Sequence, residues 1–124
     1  MKDNVVAEKS YQFSVRIIRL FQYLMQKGEE RALVIQVLRS GTSIGANIQE
    51  AIGANSVREF THRINISYKE ARETFYWLRL LHDTQILDHN QALSLKQDCE
   101  ELLRILGTIQ KTMKSREKKY YKTL

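Results

Sequence analysis

The chain has 124 residues, no proline, five glycines, one cysteine and a net charge of +6 from 20 basic and 14 acidic side chains. So few turn formers exclude a many-stranded sandwich or barrel, and a single cysteine excludes an internal disulfide and a Cys-rich zinc site. No apolar run approaches the ~20 residues of a membrane span, and residues 1–4 lead into no apolar signal-peptide core, so a reduced, cytoplasmic protein is expected.

Four helical segments follow in chain order. The first, over about residues 6–27, carries Val6, Ser10, Phe13, Ile17, Leu20 and Leu24 at helical spacing, with Tyr11, Ser14, Ile18, Phe21 and Met25 as a second stripe beside it. Gly28 supplies its stop. The second, over about residues 30–52, also carries two stripes. Val34, Leu38, Gly41, Gly45, Ile48 and Ile52 form one; Leu33, Val37, Ser40, Ile44, Asn47 and Ala51 form the other. Glu29 and Glu30 suit its positive N-terminal dipole. Ser56-Val57-Arg58-Glu59 matches a capping box and opens the third helix, which runs to about residue 83. Asp88-His89-Asn90-Gln91 resembles a second cap. Beyond it Ala92, Leu95, Cys99, Leu102, Leu106, Ile109 and Met113 repeat at heptad spacing.

Short connections make consecutive helices antiparallel neighbours. The expected fold is all-α: an antiparallel up-down-up-down four-helix bundle over residues 1–113, followed by a basic C-terminal tail at 114–124. The doubled stripes of the first two helices are wider than one bundle core requires. They fit either a generous core or, the favoured reading, a subunit interface in a homo-oligomer.

Several motifs bear on chemistry. Gly41-Thr42-Ser43-Ile44-Gly45 spells a hydrolase nucleophile elbow, but it lies within a helical pattern with no preceding strand. The same residues make a small-residue patch where another helix can approach closely at Gly41 and Gly45. Glu59-x-x-His62 is a single copy of an element that di-iron bundles use twice. No catalytic, metal or cofactor site is expected. Arg39, Ser40, Asn47, Glu50 and Glu73 are expected to form a structural polar network, with simple surface placement of the carboxylates as the plain alternative. Cys99 sits at a heptad core position and reads as a small buried hydrophobe.

The charge is localised. Residues 1–103 are balanced, at 13 basic and 13 acidic, whereas residues 104–124 hold seven basic and one acidic. Lys111, Lys114, Arg116, Lys118, Lys119 and Lys122 suit phosphate contacts, and Tyr120 and Tyr121 suit base stacking. Arg58, Lys69, Arg72 and Arg79 recur along one side of the third helix and suit phosphates too. An ordinary solvated face and a solubilising tail are the alternatives.

The stretch Arg39-Ser40-Gly41-Thr42-Ser43-Ile44-Gly45-Ala46-Asn47-Ile48-Gln49-Glu50-Ala51 resembles the signature of the bacterial four-helix-bundle proteins encoded in intervening sequences of 23S ribosomal RNA genes. Ile66-Ser67-Tyr68-Lys69-Glu70-Ala71-Arg72-Glu73-Thr74 fits as well, with Glu73 at that family's characteristic glutamate. Ala51 and Glu70 depart from it, standing where many members carry glycine and a small residue. The resemblance implies a bundle that assembles into a ring, commonly a homopentamer, without enzymatic activity or cofactor, and with ribosomal RNA as the suggested partner. A related bundle, the accessory variability determinant of diversity-generating retroelements, works with a reverse transcriptase and binds nucleic acid. The expected function is non-enzymatic binding of structured RNA or DNA. A protein-interaction scaffold, for example an accessory subunit of a reverse transcriptase, is the alternative.

Overall fold

A computed structural model describes the backbone of residues 2–123 and the side chains of residues 5–118. It contains four helices: α1 (Lys2–Gln26), α2 (Arg31–Ile52), α3 (Val57–Asp83) and α4 (His89–Thr123). No strand occurs among the described residues.

Local chemistry sets the boundaries. Gly28 adopts φ +80°, and the Glu29 N–H reaches the Leu24 carbonyl at 3.1 Å, closing α1 with a left-handed turn. At the start of α3 the Ser56 hydroxyl accepts from the Glu59 N–H at 3.0 Å. The Glu59 carboxylate accepts from the Asn55 N–H, one residue earlier than a capping box prescribes. Asp88 caps α4 by accepting from the Gln91 N–H at 2.9 Å. Between α3 and α4 the chain turns through Gln85, a non-glycine at φ 63°. That turn lets the Leu87 N–H bond the Leu81 carbonyl and places Leu87 in the core.

Each helix packs on two neighbours: α1 on α2 and α4, and α3 on α2 and α4. Phe13, Ile17 and Leu24 of α1 meet Val34, Ile44 and Ile48 of α2, Ile64, Ala71 and Leu78 of α3, and Cys99, Leu102 and Leu106 of α4 in one continuous core. Cross-helix bonds show the register. Lys9 pairs with Glu101 and Arg16 with Asp98. The Ser67 hydroxyl donates to the Ile44 carbonyl at 2.8 Å, and Arg39 reaches Glu70 and Glu73. Gln110 bonds Asn65, and His82 bonds His89. In these three pairs, α1/α4, α2/α3 and α3/α4, the bonded residue numbers rise on one helix as they fall on the other.

The doubled stripes separate here. On α2, Val34, Gly41, Gly45 and Ile48 are buried, and so are Val37, Ser40, Ile44 and Ala51. Its breadth is used within the chain, because α2 packs against both α1 and α3. On α1 the second stripe leaves Tyr11 62% and Ile18 44% exposed. Exposed apolar side chains of the doubled stripes therefore remain on α1 and at the very end of α2, where Ile52 is also exposed. Gly41 and Gly45 face α1: a Cβ at Gly41 would lie 2.8 Å from Ile17, and one at Gly45 would lie 3.3 Å from the Ser10 carbonyl oxygen.

Among the described residues Met113 is the last buried one of α4, yet the helix continues to Thr123. The basic segment from 114 is thus backbone-continuous with the bundle's last helix. At ~1.5 Å per residue it extends well past the start of α3, because Gln110 already lies beside Asn65.

Candidate nucleic-acid interface

A square bundle has four long outer faces, and here they differ in chemistry. The α3/α4 face is basic. Lys69 follows Asn65 by four residues and Arg72 follows Tyr68 by four; Asn65 bonds α4, and Tyr68 abuts Gly107 of α4. On α4, Lys111 follows Gly107 by four and Lys114 follows Gln110 by four. Residues four apart share a helix face, so these cations border a common seam. Arg58 and Arg79 extend the α3 row; Arg104 and Lys118, each seven residues from Lys111, extend the α4 row. All eight are exposed, and none of them takes part in an ion pair among the described residues. Glu100, Asp83 and Glu117 are the exposed carboxylates closest in sequence. Arg116 is exposed on α4, set off from the Lys111–Lys114–Lys118 row. The side chains of Lys119, Tyr120, Tyr121 and Lys122 lie outside the described residues.

The α2/α3 face holds a polar network. Arg39 forks to two carboxylates of α3, donating to Glu70 at 3.2 Å and also to Glu73. The Trp77 indole N–H donates to the same Glu73 oxygen at 2.9 Å. Asn47 donates to the Ser43 carbonyl and accepts a long bond, 3.4 Å, from Arg63, whose Nε is buried without an acceptor among the described residues. Ser40 is buried and donates to the Gln36 carbonyl of its own helix. Glu50 is exposed and joins none of these bonds. Of the five residues expected in this network, Arg39 and Glu73 meet directly, Asn47 meets Arg63 instead, and Ser40 and Glu50 stand apart.

The remaining faces carry other chemistry. The α1/α4 face carries the Lys9–Glu101 and Arg16–Asp98 pairs and an open cleft of about 270 Å³ lined by Arg16, Arg19, Leu20, Tyr23, Gln91 and Leu95. The α1/α2 face is apolar and small-residue: Tyr11 and Ser14 of α1 and Gly45, Ala46 and Gln49 of α2 line a groove of about 220 Å³.

Ser43 and Cys99 are both held within the packed helices. Ser43 lies mid-helix and donates to the Arg39 carbonyl at 2.7 Å, without the strand-to-helix turn that exposes a nucleophile. Cys99 is buried, and its Sγ lies 3.3 Å from the Ala71 carbonyl. Desolvation, then the charges of Glu100 and Asp98, push its pKa up to about 12, so at neutral pH it is a thiol and not a nucleophilic thiolate. Among the described residues no three His, Cys, Asp or Glu side chains converge as a metal site, and no helix is long and apolar enough to cross a membrane.

Sequence periodicity does not point to Arg104, Arg63 or Trp77. Arg104 is legible afterwards as the residue one heptad before Lys111. Trp77 is four residues from Glu73, which permits its hydrogen bond but does not require it.

A search of curated proteins finds no significant match. Among solved structures the chain is similar to a protein of unknown function from the S23 ribosomal protein family of Bacteroides thetaiotaomicron VPI-5482. The two share 47% identity and a TM-score of 0.86, over 90% of this chain and 99% of that one. The model of the family described as 23S rRNA-intervening sequence protein matches residues 2–108, which takes in all of α1, α2 and α3 and stops before Lys111. The match spans the signature of α2, the paired carboxylates of α3 and most of α4, and by it the chain belongs to the 23S rRNA-intervening sequence protein family.

Proposed function

We propose that this chain is a non-enzymatic, cytoplasmic, homo-oligomeric bundle of up-down-up-down helices that binds structured RNA or DNA through its α3/α4 face and the basic extension of α4. The observation that carries the reading is the gathering of exposed cations from two helices on one face, free of carboxylate partners among the described residues. Elsewhere on the bundle Lys9, Arg16 and Arg39 are each paired, while Arg19, Lys27 and Arg31 are exposed without forming such a two-helix row. Unpaired cations in a row attract phosphates by releasing their counterions, without reading base sequence. The family's name attaches it to 23S rRNA genes, which makes ribosomal RNA the first ligand to try. The opposed course of cross-helix pairs supports the up-down arrangement.

Self-association, as a ring with five subunits the first number to test, is the second part of the proposal. It rests on the exposed Tyr11 and Ile18 of α1 beside the small residues of α2. That same apolar face favours an alternative reading, a scaffold that docks another protein such as a reverse transcriptase.

RNA binding measured against salt tests the first part. Affinity should fall steeply with salt, and deleting residues 114–124 should weaken it strongly. Salt-insensitive binding that survives the deletion would sink the charge mechanism. A stoichiometric protein partner retained through nuclease and high salt would favour the scaffold.

A further inference from the structure

We propose that the α3/α4 face takes double-stranded RNA by its backbone, and that the Asn65–Gln110 amide pair senses the ribose 2′-hydroxyl. The inference rests on the nucleic-acid reading above and narrows its ligand. Gln110 Nε2 donates to Asn65 Oδ1 at 2.9 Å across the α3–α4 seam. That bond uses one donor and one acceptor, leaving the Asn65 amide hydrogens and Gln110 Oε1 without a partner among the described residues. Lys69 stands one turn from Asn65, and Lys111 is next to Gln110 in the chain. Both lysines are exposed. The amide pair therefore lies between two rows of cations on neighbouring helices, whose axes pack about 8–10 Å apart.

A duplex fits this arrangement better than a single strand. Proteins hold single strands by stacking bases on aromatic faces between the cations. On this face Tyr76 is the one exposed aromatic among the described residues. Two rows on packed helices suit two phosphate strands flanking a groove. In A-form RNA the minor groove is wide and shallow and displays 2′-hydroxyls, groups that both donate and accept. The free half of the amide pair offers one of each. B-form DNA has no hydroxyl there, and its minor groove is only about 6 Å wide.

Fluorescence anisotropy on the full chain tests the inference with three probes. They are a blunt RNA duplex of about 16 base pairs, the span known backbone readers of the minor groove contact, a DNA duplex of the same sequence, and one RNA strand alone. The RNA duplex should bind tightest, at least about fivefold above DNA, the lower end of the margin that two neutral hydrogen bonds supply. The RNA-to-DNA ratio should fall towards one in Asn65→Ala/Gln110→Ala at an unchanged melting temperature. Lys69→Gln/Lys111→Gln should instead weaken both duplexes together and flatten their salt dependence. Equal affinity of the unaltered protein for the two duplexes, or tighter binding of the single strand, overturns this inference and leaves nucleic-acid binding standing. If no probe binds, both readings fail.

Discussion

At Gly41 an added methyl group would press on the buried Ile17 at 2.8 Å. In an exposed helix, Gly→Ala stabilises by roughly 1 kcal/mol. Here overpacking of the α1/α2 contact opposes that gain and wins, because Ile17 is fully buried and three of its side-chain atoms would lie within 3.0 Å of the added carbon. Gly41→Ala should destabilise the fold by about 1–3 kcal/mol, read from the denaturant midpoint; a stabilised variant would refute the close contact. Cys99 gives a second prediction at this scale. Burial holds its thiol neutral up to about pH 12, against an ordinary value of 9.0. Below pH 9 both folded and unfolded chains keep the proton, so the contribution of this group to stability is constant. Above it the unfolded chain ionises first, and stability falls by roughly a kcal/mol per pH unit until the folded thiol also titrates. Subtracting the alkaline stability profile of Cys99→Ala from that of the unaltered protein should isolate this loss. Identical slopes would mean the thiol is not held in the core.

Among the elements, the helices and the packing of consecutive helices were legible, and the side-chain pairings between them were not. Spacing of Phe13, Ile17 and Leu24, the glycine stop at residue 28 and the serine and aspartate caps at 56 and 88 all mark local backbone events, and local events are written in contiguous residues. Arg39 reaching Glu70 and Glu73, or Trp77 closing on Glu73, depends on the register between helices, which no single-helix pattern contains. The two stripes of α2 show the same limit: periodicity reports that a face is apolar, not whether α1, α3 or another subunit covers it. The end of α4 is a further case. Its heptad stops at Met113, but lysine, arginine and glutamate are good helix formers and no glycine or proline intervenes, so the helix outlasts its core. Because nothing past Met113 is buried among the described residues, removing residues 114–124 should change stability by no more than about 0.5 kcal/mol while weakening RNA binding. A large drop in melting temperature would show that the extension belongs to the bundle. In the α3–α4 turn, Gln85→Gly should stabilise by up to about 1 kcal/mol, because the left-handed conformation costs a non-glycine residue roughly 1–2 kcal/mol and glycine's greater freedom in the unfolded chain offsets part of that gain; thermal melts would show it.

At the scale of the whole molecule, opposite sides of the bundle would divide the work, with an apolar α1/α2 face for self-association and a basic α3/α4 face for nucleic acid. Light scattering should give a mass well above the 14.6 kDa of one chain, and Tyr11→Glu/Ile18→Glu should return it to that value; a monomer in the unaltered protein removes the oligomer from the proposal. In an assembly, several basic faces would act on one ligand and raise its avidity. The decisive measurement is the slope of log affinity for RNA against log salt, taken for the unaltered chain and for Arg58→Gln/Lys69→Gln/Arg72→Gln. Binding through phosphates gives a steep negative slope, shallower by roughly one for each phosphate contact removed. A flat slope, or a triple variant that binds with unchanged affinity and slope, would contradict nucleic-acid binding by the α3/α4 face.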